Sequence, residues 1–285
     1  MIQKLKNTFA LKRLILLFGY VFLYAPIILI IIFSFNSTRY PGQWTGFSLK
    51  WFHALQQDEA LMKSAWVSFQ IAATSASLAT GLATLAAIGM RRYKQFKGRT
   101  FFLGLSSSPL VMPEVVTGIA LLLFFVSLER LTGWPKERGF MTITIVHTTL
   151  TFAYVFLIVR SRLSDFDHSL EEAAQDLGAR GWKVLWCVTL PLILPSIISG
   201  WVLAFILSFD DVVLASMLSG PGSTTLPVVI FSSIRLGVNP QINALATILI
   251  LASFILVFLS VILMRKNLNT KKSLKYGVYT NKALG

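Results

Sequence analysis

Charge is scarce in this chain, and acidic charge scarcest: 12 Asp and Glu stand against 26 Lys and Arg, and charged residues make up 13% of 285. Cysteine occurs once, at Cys187, which excludes an intramolecular disulfide framework and leaves a small packing residue. Histidine occurs three times, at His53, His147 and His168, too scattered to spell out a metal-ligand set. His147 reads as a hydrogen-bonded packing residue. No GxxxxGK[ST] phosphate loop is present, and the pair Gly-Lys never occurs, so the chain encodes no ATP-hydrolysing motor. The peptide Leu218-Ser219-Gly220-Pro221-Gly222 reads as a turn. Neither a Ser/His/Asp set nor a pair of carboxylates marks an enzyme. No cofactor and no metal is therefore expected in this chain.

What fills the composition instead is apolar. Hydrophobic residues reach 55% and the mean hydropathy is +0.69, more apolar and less charged than an ordinary soluble domain. Runs of spanning length lie at about 14–35, 64–90, 100–128, 140–159, 189–218 and 241–264. All 26 Lys and Arg fall outside them. Nineteen lie in alternate segments, at 4–13, 91–99, 160–183 and 265–282; the other seven lie at 39–63, at 130–138 and at Arg235. The positive-inside rule then places both termini in the cytoplasm with six spans between them. A net charge of +14 spread over four membrane-proximal segments fits topology and anionic lipid, not nucleic acid. The first run, about 22 residues without an A-x-A-type cleavage site, reads as an uncleaved helix. From Lys271 to Gly285 the chain is polar and basic with no apolar period, and is read as a mobile tail.

Between the fourth and fifth runs lies SLEEAAQDLGARGWKVLWCVTLP, Ser169 to Pro191. Ser169 followed three residues later by Glu172 is a capping-box signature. Leu170, Ala173, Ala174 and Leu177 then fall on one face of a short helix, with Glu171, Gln175 and Asp176 opposite. Gly178 suits the left-handed position that stops a helix. So short a helix is marginal alone, and its stripe needs a surface, either of its own domain or of a partner.

Three acidic residues interrupt the apolar runs: Glu114, Asp210 and Asp211. An ionisable group inside a span faces a cavity or a partner, and a path for an organic cation would use such carboxylates to replace the water stripped from an ammonium group. The alternative for Asp210 and Asp211 is simple solvation at the outer membrane interface. Pro109 and Pro113 precede Glu114, so PLVMPEVVTG predicts a bent or interrupted third helix near a cavity; Pro26 bends the first span more modestly. In the second run Ser75, Ala79, Ala83 and Ala87 form a small-residue stripe, with Gly81 and Gly89 nearby, which predicts close helix packing.

The spacing Glu172-Ala173-Ala174, three residues, Gly178, nine residues, Val188, one residue, Leu190-Pro191 resembles the EAA loop of bacterial ABC-importer permeases, with Val188 in place of isoleucine. With FLYAPIILIIIFSFNS, WTGFSLKWF, PLVMPEVVTG and the stretch from SFDDVVLASM to INALATILI, the chain is similar to the second permease subunit of spermidine/putrescine importers over about residues 14–264; LERLTGWPKERG makes it more similar to the putrescine branch. The resemblance implies an all-α polytopic membrane protein of the type I ABC-importer permease fold, with six transmembrane helices and both termini cytoplasmic. Segment 1–13 would be a cytoplasmic lead, 14–264 the transmembrane domain with a coupling loop at 160–191, and 265–285 a basic cytoplasmic tail. It implies a homologous second permease, two ATPase subunits that hold ATP and Mg, and a periplasmic polyamine-binding protein. Glu171, Glu172, Ala173, Ala174, Gly178, Leu190 and Pro191 would couple the chain to the ATPase. Glu114, Asp210 and Asp211 would stand along the path of a dicationic substrate. A self-sufficient secondary transporter or channel for organic cations is the competing class; its mark would be paired broken helices or inverted repeats, and only the Pro109–Pro113 interruption is evident.

Overall fold

The computed structural model describes residues 2–40, 42–93, 95–236, 240–251 and 254–255. The described residues form helices, and two compact units divide the chain: Met1–Asp58 with Leu236–Gly285, and Glu59–Arg235.

In the first unit α1 (Ile2–Ser34) carries the first apolar run and contains Pro26. It stops in a knot built on Asn36, a side chain only 2% exposed. The Asn36 amide donates to the Gln43 carbonyl and accepts from the Thr45 N–H, while its backbone carbonyl accepts the Trp51 indole N–H at 2.8 Å. Phe35 stacks on Phe47 at 5.4 Å and tilts against Phe52 at 5.1 Å. These bonds satisfy the backbone leaving α1 before α2 (Lys50–Gln57) begins. The motifs FNS and WTGFSLKWF thus meet in one knot, with an isolated antiparallel bridge between Asn36 and Phe47.

The second unit is organised by three long helices: α3 (Glu59–Arg92), α6 (Phe140–Ser164) and the segment ending in α9 (Leu190–Asp210), each packed on the other two. Ser75, Ala79, Ala83 and Ala87 are all buried, as the small-residue stripe predicts. Gly81 and Gly89 have open space where a Cβ would stand and take no part in that packing. The close approach is at Gly200 instead, where a Cβ would meet Val155 Cγ1 at 2.9 Å. Without a hydrophobic drive between helices in lipid, such contact and the bonds across it carry the association.

The third apolar run is broken, as its prolines predict: α4 (Arg99–Val111) and α5 (Glu114–Thr132) are separated by Met112 and Pro113. The fifth run is not the single span expected over 189–218. Ahead of α9, α7 (Ser169–Asp176), α8 (Gly181–Val184) and a π-helical turn, Leu185–Thr189, carry the chain out of the polar loop. Beyond α9 the helix stops at Asp210 and restarts as α10 (Val213–Leu218), which packs against α5. Then α11 (Leu226–Leu236) starts where Ser68 Oγ accepts the Leu226 N–H at 2.7 Å.

Five helices among the described residues are long and apolar enough to cross a membrane: Lys12–Ser34, Glu59–Arg92, Glu114–Thr132, Phe140–Ser164 and Gly181–Asp210. Of the sixth run, Pro240–Leu251 is helical. Its remainder beyond 255 and the basic tail lie outside the described residues.

Candidate functional site

The polar loop folds into a short helix with a defined stop. At the C-terminus of α7 the Ala179 N–H bonds the Ala174 carbonyl at 3.0 Å and the Gly178 N–H bonds the Gln175 carbonyl at 2.8 Å. These are the two bonds of a Schellman cap, and Gly178 takes the left-handed φ of +85° that the cap requires. The start differs from the expected capping box. Ser169 is already the first helical residue, and Asp167 Oδ1 accepts its N–H at 3.0 Å. An acceptor two residues upstream has displaced the Ser169–Glu172 exchange. The same bond, with a further one from the Ser169 side chain, holds the Asp167 carboxyl below its ordinary value.

Glu171 is turned toward the helix bundle. Its carboxylate receives both terminal nitrogens of Arg91, at 3.0 and 3.1 Å, and the hydroxyl of Thr189. Arg91 also stacks over Phe166 at 4.5 Å and reaches His168 Nδ1 at 3.2 Å. Both charged side chains are largely covered, with 15% and 22% exposed. A bidentate, partly desolvated pair of this kind is stronger than an exposed one. It joins the last turn of α3 to α7 and to the π-helical turn, across a cavity of ≈ 290 Å³ lined also by His168 and Gln175. The π-helical turn ends two residues before Pro191, whose missing N–H removes a bond that a regular helix would need there.

The other face of α7 is bare. Leu170 is 47% and Leu177 91% exposed; Glu172, Ala173 and Gly178 are exposed, and Ala174 is half-buried. Beyond the loop, Leu190 is half-buried and Pro191 exposed. The stripe is therefore held in place without being packed on its own domain.

The three acids of the apolar runs divide. Glu114 opens α5 just after the break and is exposed. Asp211 lies in the second break with a side chain 6% exposed, so it is not solvated at an interface. It accepts the N–H groups of Leu214 and Ala215, at 3.3 and 2.7 Å, and so caps α10. The third bond comes from His147, 1% exposed, whose Nε2 stands 3.1 Å from Asp211 Oδ2. A carboxylate only accepts, so Nε2 donates; on the neutral ring Nδ1 then accepts from Ser208 Oγ at 2.7 Å. Ser208 in turn bonds Ser75 Oγ at 2.9 Å. This chain crosses α3, α9 and α6 and ends on the helix break. Asp210, one residue earlier, is exposed and bonds no described residue.

Residues 79–272 match the family described as binding-protein-dependent transport system inner membrane component. The chain is 49% identical to the putrescine transport system permease protein PotI of Escherichia coli (strain K12), over 90% of this chain and 91% of that one. It is 39% identical to the spermidine/putrescine transport system permease protein PotC of the same organism, over 86% and 90%. Among solved structures, a chain of a bacterial ABC transporter that imports the acidic polysaccharide alginate superposes with a TM-score of 0.68 at 19% identity, over 90% of this chain and 95% of that one. A similar fit, at 18% identity, is found in the alginate transporter in complex with its pentasaccharide-bound periplasmic protein.

Proposed function

This chain belongs to the family of binding-protein-dependent transport system inner membrane components, and from that premise we propose that it is the permease subunit through which an ATP-driven importer moves putrescine, or a related polyamine, into the cytoplasm. The 49% identity over nine-tenths of both chains to a putrescine permease, against 39% to a spermidine/putrescine permease, favours putrescine. The permease is a transport subunit, and ATP with Mg is hydrolysed on two partner ATPase chains. A homologous second permease completes the pore, and a periplasmic binding protein delivers the amine.

The observation that carries this reading is the state of α7. Its apolar stripe is exposed, yet the helix is fixed at both ends, by Asp167 and by the Gly178 cap, and tied to α3 through Glu171 and Arg91. A helix that is ordered but unpacked on its own domain suits a groove on a motor subunit. In this reading Ala173, Ala174, Gly178 and Glu172 meet the ATPase, while Glu171 passes the movement to α3. Leu190 and Pro191 set the direction in which the loop enters α9. ATP-driven closure would then select between two packings of the long helices, since close-packed interfaces switch between discrete arrangements.

The test is uptake of radiolabelled putrescine into proteoliposomes holding the purified complex, its binding protein and ATP, with spermidine as competitor. ATP-dependent uptake that spermidine inhibits weakly is the expected result; no uptake of either amine by an intact, ATP-hydrolysing complex would remove the polyamine assignment. The paired breaks, at Met112–Pro113 and at Asp211–Val212, are a feature that a self-sufficient carrier would also have. Uptake by this chain with the ATPase left out would establish that reading instead.

A further inference from the structure

Two cavities meet at the end of α3, one basic and one apolar. The basic cavity, ≈ 290 Å³, is lined by Arg91, Arg99, Arg160, Ser164 and His168. It adjoins the cavity around Glu171, with which it shares Arg91, Leu163 and His168. The three arginines come from three helices: the last turn of α3, the first residue of α4 and the end of α6. No carboxylate among the described residues lines this cavity. Glu171 is committed to Arg91, and Arg160 has no acid partner among the described residues. The wall is therefore cationic.

Met90 lines this cavity and also a groove of ≈ 380 Å³ formed with Ala86, Gly89, Tyr93, Phe96 and Phe102. Gly89, which takes no part in helix packing, leaves the groove open, since a Cβ there would meet nothing within 4 Å. Leu78, Leu82 and Leu85, all exposed, precede Gly89 by eleven, seven and four residues and so continue its face along α3. That helix is long and apolar enough to cross a membrane, and its apolar stretch ends at Met90, ahead of Arg91 and Arg92. The basic cavity therefore stands at headgroup depth, and the groove with its leucine face at the depth of acyl chains. Guanidinium groups present paired donors that match a phosphate. A cavity of this kind alone would take any phosphate; joined to an apolar groove, it fits a molecule with a phosphate at one end and hydrocarbon at the other.

We propose that this end of the bundle is a binding site for one anionic phospholipid. Its phosphate sits among Arg91, Arg99 and Arg160, and an acyl chain lies in the groove over Gly89 and along the leucine face of α3. The site is independent of which amine the protein carries. Because Arg91 also ties α3 to α7, the phosphate stands beside the anchor of α7.

The experiment measures lipid bound to the whole complex, purified in mild detergent, stripped by detergent exchange and titrated with phosphatidylglycerol or phosphatidylcholine. Wild type is expected to hold phosphatidylglycerol in preference to phosphatidylcholine, and inorganic phosphate is expected to displace little of it. Arg99→Gln and Arg160→Gln are each expected to weaken binding about fivefold, and the pair about thirtyfold. Lys97→Gln/Arg162→Gln removes the same charge from the same segments at residues that line neither cavity, and is expected to bind as wild type. Gly89→Leu fills the groove and is expected to lower binding, whereas Gly89→Ala is not. Should the arginine pair fail to assemble, the two Gly89 variants decide. An equal loss in the Lys97→Gln/Arg162→Gln control would mean diffuse attraction to a basic surface and overturn the site. Equal binding of phosphatidylcholine, full displacement by inorganic phosphate, or undiminished binding in Gly89→Leu would overturn the lipid as its occupant.

Discussion

The tie between Arg91 and Glu171 and the chain Ser75–Ser208–His147–Asp211 both fasten α3 to other helices through side chains, and they are built for opposite ends. The first is partly exposed, at the end of α3, and holds a short helix whose outer face is left bare. The second is buried along its whole length and terminates on a helix break, where Asp211 supplies the cap for α10. Cutting a tie at the edge of a domain leaves its groups access to water. Cutting one in the interior leaves unpaired polar groups that nothing replaces. The comparison therefore separates residues proposed to transmit movement from residues that keep the fold.

The sharpest way to break it is Asp211→Ala. That change removes the acceptor of two N–H groups and orphans His147 Nε2 in a buried site, and each buried donor left unsatisfied costs about 1–3 kcal/mol. Thermal unfolding of the purified complex in detergent should show a large fall, while Asp210→Asn leaves the transition in place. Equal falls for the two acids would mean that Asp211 is not the structural one. At the end of α7, Gly178→Val forces a β-branched residue into a left-handed position, at about 1–3 kcal/mol. The Schellman cap opens and α7 loses its orientation, so ATP hydrolysis should continue while uptake fails. Retained coupling in this variant would detach α7 from the motor. Smaller still is the tie itself: Arg91→Ala and Glu171→Ala should each weaken coupling, and the double variant should be no worse than either. The interaction energy from that cycle is expected at about 1–2 kcal/mol; additive losses would show that the two side chains act separately.

Local features of both regions were legible in the sequence, and their long-range partners were not. Gly178 announces a helix stop, Pro109 and Pro113 announce a break, and the stripe from Ser75 to Ala87 announces close packing, because each rests on the backbone or on spacing within one helix. The second break had no such sign. No proline stands near Asp211, and the residue that stabilises its cap, His147, lies on another helix 64 positions away. Read alone, 189–218 is one apolar run. Spacing alone sets Glu171 on the polar face of α7, whereas Arg91, 80 positions earlier, draws it inward. Ser169 with Glu172 three residues on spells a capping box, but Asp167, two residues upstream, wins the same amide.

That amide gives the smallest expected effect and a test of how much order α7 owes to its start. The Asp167 carboxyl titrates below the ordinary carboxylate value of 3.8, first because the Ser169 backbone N–H favours the charged form and then through the Ser169 side chain. A folded-state value lower than the unfolded one means that the cap contributes fully above the unfolded value and is lost only as pH falls through the folded one. The first turn of α7 should therefore hold from neutral pH down past 4 and loosen only below. A nitroxide on Leu170→Cys, in a Cys187→Ser background, would report this as mobility that stays flat until strong acid. Asp167→Ala should be mobile at every pH, and Asp167→Asn should stay ordered, because an amide oxygen caps without titrating. If Asp167→Ala is as ordered as the parent, the tie through Glu171 alone positions α7, and the edge of the domain needs one anchor where two are present.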